Sequence, residues 1–215
     1  LQVTTFANKA EYQKQTTDAS ETQHEMIRKL ELSREMHVEL ISYCKQCGID
    51  FFSTGFDVQS IKLLVELGLD QFKIPSGEIT NLPYLRYIGE LGKPVFMSTG
   101  MATLDEVRVA MNVLIDTGLD KNDLTVLHCN TEYPTDFSDV NLNAMKTLES
   151  KFKTKVGYSD HTKGSHVAIA AVAIGASVIE KHITFSNDLV GPDHKASSNI
   201  SDFTDLVTKI RKLEI

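Results

Sequence analysis

Leu124-Thr125-Val126-Leu127-His128-Cys129-Asn130, then a stretch carrying Leu142, Met145, Leu148 and Phe152, then Lys155-Val156-Gly157-Tyr158-Ser159-Asp160-His161: this segment sets the architecture. A short aliphatic and β-branched run ends in polar groups. It passes through a segment of helical period and returns as a second such run. Two parallel strands need a crossover of this kind. On either side the alternation continues, predicting further strands at Ile49–Ser53, Gln71–Ile74, Pro94–Ser98 and Ser177–Lys181. Six β/α units in a row imply a parallel sheet covered by helices.

The helix signals agree with this division. Asp57 can cap a helix carrying Ile61 and Leu64 and closed by Gly68, and Thr103 through Glu106 reads as a capping box. Ser165–Ile174 reads as a small-residue helix packed tightly on a sheet, and Ser201 as the cap of a last helix. The residues before Ile49 hold no strand candidate. Ser20-Glu21-Thr22-Gln23 resembles a capping box, Ser33 can cap a helix ending at Gly48, and residues 1–19 read as a polar loop. An open doubly wound sheet and a (β/α)8 barrel both fit the alternation. No Gly-rich phosphate fingerprint follows a strand, which weakens the nucleotide-binding reading. The collection of polar residues at the strand ends favours the barrel.

Composition narrows the function. The 215 residues carry a net charge of −7, which argues against a general nucleic-acid binder. An apolar fraction of 41% argues against disorder, and no apolar run is long enough to cross a bilayer. Three cysteines and no visible signal peptide lead us to expect a reducing, cytoplasmic setting. Cys44-Lys45-Gln46-Cys47 ends a helix, without the second pair a zinc site needs or the helix N-terminus a redox pair favours. The chain begins at Leu1, so a fragment of a longer protein is expected.

Nearly every predicted strand ends in groups that can bind a ligand: Ser53-Thr54, Lys73 with Ser76-Gly77-Glu78, Ser98-Thr99-Gly100, His128-Cys129-Asn130, Ser159-Asp160-His161 and Glu180-Lys181-His182. Capping of the next helix can account for Ser98, Thr99 and Asp160 as readily as ligand binding can. It does not account for Lys73, because a lysine inside an apolar strand needs water or an anion. His161 and His182 end consecutive strands, whose spacing is ~4.8 Å, and two such imidazoles can grip one divalent ion or serve structure alone. Gly191-Pro192-Asp193-His194-Lys195 is a turn after the last strand, placed in a barrel to overhang the site.

These residues also occur in recognisable blocks. Phe72-Lys73-Ile74-Pro75-Ser76-Gly77-Glu78, Ser98-Thr99-Gly100-Met101, Gly157-Tyr158-Ser159-Asp160-His161-Thr162, Glu180-Lys181-His182-Ile183-Thr184 and Gly191-Pro192-Asp193-His194-Lys195 stand in order. The chain resembles the N-acetylneuraminate (sialic acid) synthase family, which includes the legionaminic and pseudaminic acid synthases. The resemblance implies a TIM barrel that condenses phosphoenolpyruvate with N-acetylmannosamine or a related N-acetylated amino-sugar aldehyde. The products are a nine-carbon 2-keto sugar acid and phosphate, and Mn2+ or Mg2+ is required. It implies His161 and His182 as metal ligands and Thr54, Lys73, Ser76 and Ser159 as phosphoenolpyruvate contacts. Glu78 is implied as the carboxylate beside the reacting carbons, and Tyr133 and Asp193 as acceptor contacts. It leaves open whether Asn130 or Thr131 reaches the ligand.

The family barrel starts about two β/α units earlier, with a Glu motif and a Lys-x-Gln motif that this sequence lacks. It ends in a small antifreeze-like domain that reaches the partner's site in a homodimer, also lacking here. Residues 1–215 are therefore expected to form one partial TIM-barrel domain. Two other readings stay open: a non-catalytic fragment that binds metal or phosphoenolpyruvate, and an aldolase using Lys73 as a Schiff base.

Overall fold

The structure, a computed structural model, describes residues 8–18 and 20–214. In chain order the first helices are α1 (Glu11–Thr16), α2 (Gln23–Arg28), α3 (Arg34–Cys47) and α4 (Val58–Glu66). Then β1 (Phe72–Ile74), α5 (Leu82–Glu90), β2 (Val95–Ser98), α6 (Leu104–Asp116) and β3 (Leu124–Cys129) alternate. They continue through α7 (Asn143–Phe152), β4 (Lys155–Asp160), α8 (His166–Ala173) and β5 (Ile179–Lys181). A short parallel pair, β6 (Ile183–Thr184) with β7 (Ser198–Asn199), precedes α9 (Ile200–Leu213).

The main sheet is parallel throughout and ordered β1-β2-β3-β4-β5. A doubly wound sheet reverses its order at a switch point. Here each new strand adds on the same side, which curls the sheet into part of a barrel. Helices cover its outer face, and β1 to β3 are largely buried and read as apolar runs, while β5 is half-buried. Val95, Met97, Leu124 and Val126 are buried against Leu85, Ile88, Ala110 and Leu114 of the helices. Each fully buried aliphatic side chain contributes ~1.5–3 kcal/mol. α5 and α6 approach so closely that a Cβ on Gly89 would lie 2.0 Å from Thr117 Oγ1.

Several expectations are corrected. Ile49–Ser53 forms no strand among the described residues. It lies beside the start of β1, where Asp50 and Phe51 share a surface cleft with Gln71, but no ladder joins them. A strand exists only by pairing, and β-branched character cannot supply the partner. The expected loop over residues 1–19 contains α1, and its residues 1–7 and 19 lie outside the described residues. The box expected at Ser20 sits two residues later, with Thr22 accepting from the Glu25 N–H. The last helix is capped by Asn199, whose side chain accepts from the Asp202 N–H, and not by Ser201. The caps at Ser33, Asp57 and Thr103 are as expected, and Gly48 ends α3 at φ 68°, in the left-handed region.

Candidate active site

Alternation along a strand sends successive side chains to opposite faces. β1 therefore turns Lys73 inward, with Phe72 and Ile74 in the helical layer. β4 and its extension turn Ser159 and His161 inward, and the end of β5 does the same for Glu180 and His182. These groups line one cavity of about 520 Å3 together with Thr54, Phe56, Ser76, Ser98, Met101, Cys129, Thr131 and Tyr133.

Lys73, 7% exposed, donates to Glu180 Oε2 at 2.5 Å. The other Glu180 oxygen accepts from Ser159 Oγ at 2.6 Å. Burial raises the Glu180 carboxyl, but the Lys73 charge, the bonds from Lys73 and Ser159 and nearby His182 outweigh it, so the net shift is downward. Ser76 Oγ accepts from the Gly100 N–H at 2.9 Å. A Cβ at Gly100 would meet Thr131 Cγ2 at 2.6 Å, so glycine lets these loops converge. Ser98 Oγ is buried in the cavity wall with no partner among the described residues, a polar group that a ligand can satisfy.

The rings of His161 and His182 stand 5.3 Å apart, centroid to centroid, at 83°. His161 Nδ1 donates to the Asn130 carbonyl at 2.5 Å, leaving Nε2 with a lone pair on the cavity side, 3.3 Å from Ser159 Oγ. Burial lowers the His161 pKa to about 4, helped by His182 and opposed by the Asn130 carbonyl bond. Tyr133 lies against both histidines, 4.1 Å from the His161 ring, and Tyr12 of α1 packs on Tyr133 at 5.5 Å. Burial raises the Tyr133 phenol, as do nearby Cys129 and Asp193. Asp193 Oδ2 reaches to 3.4 Å from His182 Nδ1.

Of the expected residues, Thr54, Lys73, Ser76, Thr131, Tyr133, Ser159, His161 and His182 line the cavity. Asp193 stands behind His182. Asn130 turns its amide Nδ2 to the Asp139 carbonyl at 2.9 Å, while its main chain holds His161. Glu78 follows Ser76 and Gly77 on the same turn, and its Oε2 accepts from Asn81 Nδ2 at 2.7 Å. The sequence names Glu180 and Ser98 only among the polar groups that end strands, and the structure adds both to the cavity lining. Glu180 stands two residues before His182 and so shares its face, a signal that was available. Of the two readings open for Ser98, capping falls, because Thr103 caps the next helix. A second cavity of about 450 Å3 between α2, α3 and residues 53–56 is mostly apolar, and its His37 is bonded to Ser33 and Ser53.

Among the described residues no group of three His, Cys, Asp or Glu side chains forms a ready metal cage. A two-imidazole set with one tautomer already fixed fits a divalent ion that takes its remaining ligands from water or substrate.

The chain matches the NeuB family over residues 2–215. It is 53% identical over 212 residues to N,N'-diacetyllegionaminic acid synthase of Campylobacter jejuni, covering 99% of this chain and 64% of that protein. It is 50% identical to the synthase of the same name from Legionella pneumophila, covering 96% of this chain and 58% of that protein. The chain thus spans about three fifths of the length of these relatives. The crystal structure of N-acetylneuraminic acid synthetase from Leptospira borgpetersenii superposes with a TM-score of 0.84 at 31% identity, covering 94% of this chain and 70% of that one.

Proposed function

The chain belongs to the NeuB family, and on that premise we propose that it is the central part of a sialic-acid-type synthase. It condenses phosphoenolpyruvate with an N-acetylated amino-sugar aldehyde to give a nine-carbon 2-keto sugar acid and phosphate. The observation that carries this reading is the convergence of Lys73, Ser159 and Glu180 with the His161–His182 pair in one cavity. Two relatives are named for a product with two N-acetyl groups. Phosphoenolpyruvate contains no nitrogen, so both acetamido groups of such a product come from the acceptor. The acceptor proposed for this chain is accordingly a di-N-acetylated amino sugar, in place of N-acetylmannosamine itself.

The roles follow from charge. Phosphoenolpyruvate brings a phosphate and a carboxylate. Lys73 answers with a buried ammonium, and Ser76, Ser98, Ser159 and Thr54 with hydroxyl donors. Glu180 holds Lys73 and Ser159 at their spacing before the ligand arrives. Thr131, which lines the cavity, is the donor from the β3 loop, and Asn130 serves by fixing His161. Carbon 3 of the enol attacks the aldehyde carbon as the carbon–oxygen double bond opens. The cation left at carbon 2 takes water, and the tetrahedral adduct loses phosphate to become the ketone. Glu78 is assigned the orientation of that water, and Tyr133 and Asp193 the acceptor sugar. His161 and His182 would hold a Mn2+ or Mg2+ ion, which supplies Lewis acidity to the aldehyde oxygen. Further β/α units would complete the barrel, and full-length relatives are proposed to act as homodimers. Pairing with Glu180 favours charge binding by Lys73 over a Schiff base.

The test is steady-state kinetics in the full-length protein. Lys73→Ala raises KM for phosphoenolpyruvate by about a hundredfold, the worth of a charge-assisted contact. Glu78→Gln lowers kcat with little change in that KM. Equal KM losses would place Glu78 in ground-state binding, and a borohydride-trapped pyruvate adduct on Lys73 would replace the synthase reading with an aldolase.

A further inference from the structure

On the opposite face of β4 and β5 from the cavity lies a second charged pair. Lys181 Nζ donates to Asp160 Oδ2 at 2.8 Å, and the two side chains are 1% and 0% exposed. Asp160 and Lys181 are direct register partners across the two strands. Asp160 Oδ1 also accepts from Thr162 N at 2.9 Å and Thr162 Oγ1 at 2.7 Å, while Lys181 donates to the Thr162 carbonyl. The three residues close a ring of hydrogen bonds in the helical layer, where Lys181 borders Phe203 and Leu206 of α9. Neither charge lines the cavity.

A buried ion pair is a weak source of net stability, because desolvation offsets the attraction. Its selectivity is stronger. Slipping β5 by one residue against β4 would part the charges within an apolar layer and turn Glu180 and His182 away from the cavity. The neighbours of this pair in sequence are Ser159 and His161 on one strand and Glu180 and His182 on the other. Thr162 extends the hold, since Thr135 bridges to it and the Thr135 N–H donates to the His161 carbonyl at 2.9 Å.

We infer that Asp160 and Lys181 are a positioning pair, locking the β4–β5 register so that His161 and His182 face one another at a distance suited to sharing one divalent ion. The lock follows from the hydrogen-bonded ring. Its consequence for the ion rests on the metal-site reading proposed above.

The test replaces both charges at once, Asp160→Leu with Lys181→Met, so that no unpaired charge is left buried. Two readouts are taken on the full-length protein: Mn2+ binding by calorimetry and amide hydrogen exchange over residues 159–162 and 179–182. The variant is expected to keep its circular dichroism, bind Mn2+ about ten- to a hundredfold more weakly, and exchange faster in those two segments alone. Should it fail to fold, Thr162→Val keeps both charges and removes one donor to Asp160. It is then expected to weaken Mn2+ binding a few-fold and speed exchange in the same segments. Unchanged exchange in the folded variant overturns the lock. Faster exchange with wild-type Mn2+ affinity overturns its role in positioning the histidines. A wild-type full-length protein that binds no Mn2+ removes the metal-site reading, while exchange still decides whether the pair locks the strands.

Discussion

Two helices of this molecule start with the same hydrogen-bonded box and end at different depths. Before α2, the Thr22 N–H donates to Glu25 at 2.7 Å and Thr22 Oγ1 accepts from the Glu25 N–H at 3.2 Å. Before α6, Thr103 and Glu106 repeat those bonds at 2.7 and 3.3 Å. Yet α2 buries only Met26, whereas α6 buries Val107, Ala110, Met111 and Leu114. α3 belongs with α2: it buries His37 alone and leaves Met36, Val38 and Tyr43 more than half exposed. A cap is a bargain between four neighbouring residues and forms wherever they occur. Burial needs a surface to pack on, and α6 has the sheet and α5.

The largest test of this contrast is a pair of truncations. Leu114→Ala is expected to destabilise the chain by about 3 kcal/mol, since transfer and cavity costs add in a packed layer. Met36→Ala is expected to cost less than about 0.5 kcal/mol. Urea unfolding of both variants measures the gap, and similar losses would show that α3 is packed as firmly as α6.

Removing the caps should give a smaller difference. Thr103→Ala is expected to cost about 1 kcal/mol of global stability. Thr22→Ala should free the start of α2 and leave the global transition almost unmoved, because the six-residue helix unfolds locally. Hydrogen exchange at Glu25 and Glu106 read beside the melting curves distinguishes the two. Equal melting shifts would mean that α2 belongs to the same cooperative unit as the sheet.

The smallest expected effect is a pH dependence within the packed region. His128 on β3 has its pKa lowered by burial, partly offset by its 2.8 Å bond to the Val140 carbonyl. The folded chain thus keeps this imidazole neutral, while the unfolded chain takes up a proton near the ordinary value of about 6.5. Its contribution is complete above that value and is lost as the pH falls through the lower folded pKa. His128→Gln should flatten the fall in melting temperature between about pH 7 and 5. An unchanged slope would assign the acid sensitivity to other groups.

Much of the site was legible because strand ends are local. Lys73 stands out as a lysine in an apolar strand, and His161 and His182 as the ends of consecutive strands. Glu180 was harder to see: its task is set by Lys73, 107 residues away in sequence, and only folding closes that gap. Capping and ligand binding both stayed open for Ser98, and folding decided between them: Thr103 caps α6 and the Ser98 hydroxyl lies in the cavity wall.

Sequence alone determined the alternation and the helix starts at Ser33, Asp57 and Thr103. Those features depend on spacing and on bonds among near neighbours. The tertiary structure decided that Ile49–Ser53 would remain outside the sheet, that Lys73 would meet Glu180, and that Asp160 would meet Lys181 behind the site. Each of these is a pairing between distant segments, and a pairing energy has no value until both partners are in place.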